Sequence, residues 1–176
     1  SAFAYCKGLT SITIPKSVEK ISAVLYDSDF VKQEVGGAFE SSGITNITFE
    51  SGSNLKTIGE LAFSYSKLTR ITIPASVEEI KESAFRKSDI RSIKFEENSK
   101  LKTIGIGAFL DCEYLSDISI PKTLDKIGEK AFKGCKFYNN DANWDNNVLY
   151  IDNYLIYGKD DATFGEYNVK EGTLGI

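Results

Sequence analysis

The sequence predicts a solenoid of short parallel β-strands stacked in right-handed coils and joined by short turns or single helical turns. Three observations predict it. The dipeptide Ala-Phe returns at Ala2-Phe3, Ala38-Phe39, Ala62-Phe63, Ala84-Phe85, Ala108-Phe109 and Ala131-Phe132, at intervals of 36, 24, 22, 24 and 23 residues. Each unit holds a piece whose β-branched residues alternate, as in Ile71-Thr72-Ile73 and Ile118-Ser119-Ile120, the pattern of a half-buried strand. A second apolar pair, three residues apart, follows a turn: Val18/Ile21, Leu55/Ile58, Val77/Ile80, Leu101/Ile104 and Leu124/Ile127. A fixed period near these intervals marks an array whose stability is summed over neighbouring units.

One unit, 68–85, reads LTRITIPASVEEIKESAF and sets the order of elements. LxxIxI is the first strand. Proline then ends it at Pro15, Pro74 and Pro121, because a residue without a backbone N–H cannot continue the ladder. Two units use a longer turn instead, with Phe49 followed by ESGSNLKTI and Phe95 by EENSKLKTI, so two kinds of unit alternate. The second apolar pair predicts a shorter strand, and the Ala of the next Ala-Phe comes four residues later in all units but the first. Stacked at about 4.8 Å per unit, the phenylalanines line up in one interior column and the isoleucines in others. In the first unit Ile21 and Ala38 are separated by an insertion of about 22–34, which contains Leu25, Tyr26, Phe30 and Val31. Near the other end, Val148, Leu149, Tyr150 and Ile151 and then 154–157 predict a β-hairpin turning at Asp152-Asn153.

The pattern AFxxC/SxxLxxIxIPxSVxxI stands here as AFAYCKGLTSITIPKSVEKI and AFLDCEYLSDISIPKTLDKI. It resembles the BspA-type leucine-rich repeat of bacterial surface proteins over 1–137. The tail, 138–176, is more loosely similar to a segment found between such repeats: an aromatic hairpin insertion and the start of a further repeat. The resemblance implies a leucine-rich-repeat solenoid and a secreted or surface-anchored location. The implied partner is a host matrix protein, a cell-surface protein or the surface of another cell. The chain opens on SAF and closes on EGTLGI, both interior pieces of the repeat, so a fragment of a longer array is expected.

Composition narrows the chemistry. Net charge is −4, from 21 Lys and Arg against 25 Asp and Glu, with no basic cluster to form the stripe that phosphate backbones require, so nucleic acid is not an expected partner. No apolar run is long enough to cross a bilayer, and no membrane insertion by this stretch is expected. Histidine is absent, which removes the commonest general base and neutral metal ligand. The expectation is a protein that is not an enzyme and has no catalytic residue, no cofactor and no metal.

Several residues nevertheless invite a chemical reading. Cys6, Cys112 and Cys135 each stand three residues after the repeat Phe, where other units have Ser42, Ser66 and Ser88. That predicts buried free thiols, with a Cys112–Cys135 disulfide as the alternative. Asp141, Asn143, Asp145 and Asp152 imitate the ends of a calcium loop but lack its central glycine, and the hairpin fits better. Glu78-Glu79 and Glu96-Glu97 read as solvated surface charge, since adjacent residues do not place two carboxylates across one cleft.

Two surfaces remain for binding. The outward strand positions form stacked rows, Ser11, Asn46, Arg70, Ser92, Asp117 and Thr13, Thr48, Thr72, Lys94, Ser119, polar and shallow enough for protein contact. Ser and Thr also simply make good exposed strand residues. In the 22–34 insertion, Tyr26 and Phe30 either meet a partner or fold back onto neighbouring units. Two other functions stay open: a passive spacer projecting another domain, and a carbohydrate binder using Trp144, Tyr150, Tyr154 and Tyr157.

Overall fold

A computed structural model describes residues 2–22, 24–28, 31–145, 147–158 and 171–174, with the backbone alone at 24–28 and 31–35. Its strands are β1 (Ser11–Ile14), β2 (Lys20–Ile21), β3 (Val24–Ser28), β4 (Val31–Val35), β5 (Asn46–Phe49), β6 (Thr57–Ile58), β7 (Arg70–Ile73), β8 (Glu79–Ile80), β9 (Ser92–Phe95), β10 (Thr103–Ile104), β11 (Asp117–Ile118), β12 (Lys126–Ile127), β13 (Trp144–Asp145), β14 (Val148–Ile151) and β15 (Tyr154–Gly158). Among the described residues the only helical element is a 3-10 turn at Asp141–Asn143, so the approach to each Ala-Phe is a tight turn and not a helical one.

Each rung contributes two strands, a first of four residues, shortened to two in β11, and a second of two. The short strands form a continuous parallel sheet, β2-β6-β8-β10-β12, in which Ile21, Ile58, Ile80, Ile104 and Ile127 occupy one register. The long strands form two pieces, β1-β5 and β7-β9-β11. Between them lies a core of Leu55, Ile58, Leu68, Ile73, Val77, Ile80, Ile90, Leu101 and Ile104, all fully buried. The phenylalanine column forms as predicted. Rings of Phe3, Phe39, Phe63, Phe85, Phe109 and Phe132 stack with centroids 5.1 to 5.2 Å apart and planes within 15°. That spacing, slightly wider than the strand separation, is the offset arrangement aromatic pairs prefer.

The Ala-Phe turns make a third side with its own logic. Leu61, Tyr65, Ser83, Lys87 and Asp111 all have φ between 53 and 57°, a conformation that costs an L-residue about 1 to 2 kcal/mol. The cost is offset by hydrogen bonds between rungs. The N–H groups of Ser83, Phe85 and Lys87 donate to the carbonyls of Ile106, Ala108 and Leu110 at 3.0, 2.7 and 2.9 Å, and the rung before does the same toward Glu82, Ala84 and Arg86. Rungs approach so closely nearby that a Cβ on Gly105 would lie 2.6 Å from the Glu82 nitrogen.

Proline explains why the long-strand sheet is in pieces. The residue after β5 and β9 is Glu50 or Glu96, and its N–H donates back to Ile14 O or Ile73 O at 3.1 and 3.0 Å. In the units that follow, the equivalent residues are Pro74 and Pro121, which have no N–H to offer the carbonyls of Phe49 and Phe95. Hence β1/β5 and β7/β9 pair over four residues each, while β9/β11 pairs over two and β5/β7 is not paired. The tight interfaces gain further: Glu50 and Glu96 accept from the N–H groups of Lys16 and Ala75, both at 2.9 Å, in the rung before. Glu96 is therefore a structural hydrogen-bond acceptor and not merely solvated charge. Glu78 and Glu79 pair with Lys56 and Lys81 at 3.1 and 3.8 Å.

Among the described residues, two hairpins stand outside the rungs. The insertion is an antiparallel hairpin, β3 with β4 from Val24↔Val35 to Ser28↔Val31, and so reaches one residue beyond the expected 22–34. Its alternating Val24, Tyr26 and Ser28 are the strand signal within what reads as a loop. The C-terminal hairpin turns at Asp152, with φ 51°, and carries an additional strand, β13, on its outer edge. It packs on the last rung through Leu149, Ile151 and Tyr154.

Candidate recognition surface

Alternation within the long strands puts isoleucine inside and polar residues outside. Ser11, Thr13, Asn46, Thr48, Arg70, Thr72, Lys94, Asp117 and Ser119 are exposed and Ser92 is half-buried. Pairing sets their neighbours: Ser11 lies beside Asn46, Thr13 beside Thr48, Arg70 beside Ser92, Thr72 beside Lys94 and Asp117 beside Ser92. The rows are thus interrupted between Asn46/Thr48 and Arg70/Thr72, and the second row again between Lys94 and Ser119, which no strand pairing joins.

At both loose interfaces the surface opens into a cleft. The first, about 390 Å³, is lined by Asn46, Thr48, Arg70, Thr72, Ser92 and Lys94. The second, about 640 Å³, lies between Lys94, Glu96 and Asn98 on one side and Ser119, Lys122 and Thr123 on the other. Here the chain of β11 is drawn away from β9 by the hairpin beyond it: the Ile120 N–H donates to the Asp152 carboxylate at 2.8 Å. Asp152 is thereby committed to the hairpin contact and not to a calcium loop.

Lys56, Lys67, Lys81, Lys102 and Lys130 each lie within 4.0 Å of a carboxylate. Arg70 and Lys94, the two cations of the rows, form no ion pair with any described residue.

Of the insertion residues, the Tyr26 side chain and Phe30 lie outside the described residues. None of the four rings considered for carbohydrate is fully exposed. Tyr154 is buried and its hydroxyl donates to Pro121 O and Leu124 O at 3.3 Å each. Trp144 is half-buried and donates to Tyr138 O at 2.8 Å, with Tyr138 and Tyr157 packed edge-on against it. Tyr150 is half-buried as well. Trp144, Tyr154 and Tyr157 pack against the core beside the rung of Ala131-Phe132.

The cysteines divide. Cys112 and Cys135 are buried free thiols, and the alternative disulfide between them does not form. Each donates to the carbonyl of the preceding rung's phenylalanine, Phe85 at 3.0 Å and Phe109 at 3.2 Å. Burial pushes the Cys112 thiol up to about 12 and raises Cys135 as well, so neither is a nucleophile at neutral pH. Cys6, expected buried, is exposed, because no described rung lies beneath it.

Sequence reasoning passed over three exposed tyrosines. Tyr5, Tyr65 and Tyr114 are 65, 45 and 48% exposed. Lys87 lies 5.7 Å from the Tyr65 ring and Arg91 lies 5.3 Å from that of Tyr114. The available signal was position: Tyr5 and Tyr65 each stand two residues past the inward Phe, on the left-handed residue of the turn.

The sequence model of a family described as the BspA type leucine rich repeat region matches the chain in six copies, over 1–29 and 36–163. Among solved structures, the chain is similar to the pneumococcal vaccine antigen PcpA. The two are 31% identical, with a TM-score of 0.54, over 72% of this chain and 28% of that one. A leucine-rich repeat protein from Bacteroides ovatus is 19% identical, with a TM-score of 0.26, over 76% of this chain and 48% of that one. The chain thus spans less than half the length of either protein. No curated protein matches it.

Proposed function

The chain belongs to the BspA-type leucine-rich-repeat family, and on that premise we propose that it is a non-catalytic recognition module at the cell surface or outside the cell. It holds a protein partner, such as a host matrix protein or a protein on another cell, against its exposed strand rows. The observation that carries this reading is the pair of polar rows, exposed over the two sheet pieces and opened by shallow clefts in place of a deep apolar pocket. Flat polar surfaces with a few large anchors suit protein contact, whereas small molecules need concave enclosure. Similarity to PcpA, named as a vaccine antigen, supports surface display.

The test is capture of purified extracellular-matrix proteins and of whole partner cells by the immobilised chain. Thr48→Glu with Thr72→Glu should abolish capture, while Lys102→Glu with Lys133→Glu, away from the rows, should leave it intact. Equal capture by both variants would move the binding off the rows.

One feature favours a second reading, a passive spacer. The five-stranded ladder and the phenylalanine column make a continuous rod that transmits distance whether or not anything binds to it. A spacer retains nothing in the same experiment.

A further inference from the structure

Arg70 and Thr72 on β7 stand beside Ser92 and Lys94 on β9 in direct register, Arg70 to Ser92 and Thr72 to Lys94. Side chains two apart on a strand share a face, so these four form a square with cations on one diagonal and hydroxyls on the other. From strand rise and spacing, the two cations are rooted about 8 Å apart. Asn46 and Thr48, across the loose interface, wall one side.

Like charges placed so close on a sheet oppose folding. In a chain of net charge −4, carboxylates are plentiful, and five lysines on other faces have them within 4.0 Å. Arg70 and Lys94, like most other cations of the chain, have no ion-pair partner among the described residues, but they stand on one face in direct register. The acid that lines the same cleft, Glu96, holds the Ala75 N–H instead. The cations are left facing solvent together.

We propose that Arg70, Thr72, Ser92 and Lys94 form a carboxylate-binding site, and that its ligand is an acidic peptide segment of the partner protein. The proposal rests on the rows being a recognition surface. Arginine grips a carboxylate through two parallel N–H bonds, lysine adds a point charge, and the hydroxyls donate to the remaining lone pairs. A sulfated glycan fits less well, because it requires a stripe of basic residues, and the rows hold no third cation and carry Asp117.

The probe is a fluorescein-labelled peptide of alternating glycine and glutamate, titrated with the intact chain and read by anisotropy, beside the same peptide with glutamine and beside heparin. The glutamate peptide should bind, the glutamine peptide at least about tenfold more weakly. Binding should weaken as salt rises to about 150 mM, where charges are screened within about 8 Å. Arg70→Gln with Lys94→Gln should lower affinity by about tenfold or more, and the control Lys81→Gln with Lys102→Gln, equal in net charge, should not. Equal losses in the two double variants, no difference between peptides, or tighter binding of heparin than of the glutamate peptide would each overturn the site. Row-dependent capture of a matrix protein that survives Arg70→Gln with Lys94→Gln would overturn the carboxylate site and leave the recognition surface standing. Peptide binding without any protein capture would overturn the recognition surface, and with it the partner assigned here.

Discussion

The two faces of this solenoid are built by the same rungs, yet one ladder is continuous and the other is broken. In the short-strand ladder every rung offers two residues ending in isoleucine in the same register, and five strands pair without a gap. In the long-strand ladder the residue after the strand alternates between glutamate and proline, and where proline has no N–H to donate back the pairing is lost, before Pro74, or shortened to two residues, before Pro121. The missing N–H in every second rung thus marks where the surface opens, and at β11 the Asp152 contact widens the opening. The clefts lie at the loose interfaces, and Arg70 and Lys94 stand side by side on the strands between them.

Removing the packing that both ladders share should produce the largest effect. Phe85→Ala deletes a fully buried ring stacked on both sides and should cost about 3 to 5 kcal/mol in chemical denaturation. Phe3→Ala, at the first rung and partly exposed, should cost much less; equal losses would deny the column. Glu96→Ala removes the extra bond of a tight interface and should cost about 1 kcal/mol, against nearly nothing for Glu97→Ala. Pro74→Ala should change stability by only about 0.5 kcal/mol, since a new hydrogen bond offsets the lost rigidity of proline. Its new amide should nevertheless be protected from hydrogen exchange by Phe49 O. Rapid exchange there would show that proline is not what opens the β5/β7 interface.

The thiols sharpen the same comparison from inside. An aromatic disulfide reagent at neutral pH should modify Cys6 at once and Cys112 and Cys135 about a hundredfold more slowly or less. The Cys112 thiol titrates ordinarily at 9.0 and in the fold near 12, so its contribution to stability is fully present below about pH 9 and is lost as pH climbs toward 12. A melting temperature that rose with pH across that window would contradict the burial.

Most of the architecture was legible because periodicity is a local signal. Ile71 and Ile73, or the three-residue step from Val77 to Ile80, declare an inward face within a few residues of sequence. The interchange of Cys112 with Ser88 declared a small interior site in the same way. What escaped depends on the neighbouring rung. That Pro74 faces Phe49 O, that Asp152 reaches Ile120, and that Arg70 stands diagonal to Lys94 without a counter-ion follow only from register and stacking. The additional strand β13 is two residues long, too short for any pattern to show. The 22–34 insertion reads only as an insertion, and not as the hairpin of β3 and β4, because its alternation is diluted by Asp27, Lys32 and Glu34.

The forward-pointing amides of the Ala-Phe turns have an electrical consequence. In the strands, successive peptide units point to opposite neighbours and their dipoles nearly cancel. On the turn side they do not: the units ending at Ser83, Phe85 and Lys87 all direct N–H toward the following rung and C=O toward the preceding one. Each such unit carries about 3.5 D, and aligned units add as they do in a helix. The column is therefore an electret along the stacking axis, positive at the rung of Ala131-Phe132 and negative at that of Ala2-Phe3, the reverse of an α-helix of the same direction. Whatever sits on the positive end is drawn in carbonyl or anion first, and rungs can be stacked there in one orientation only.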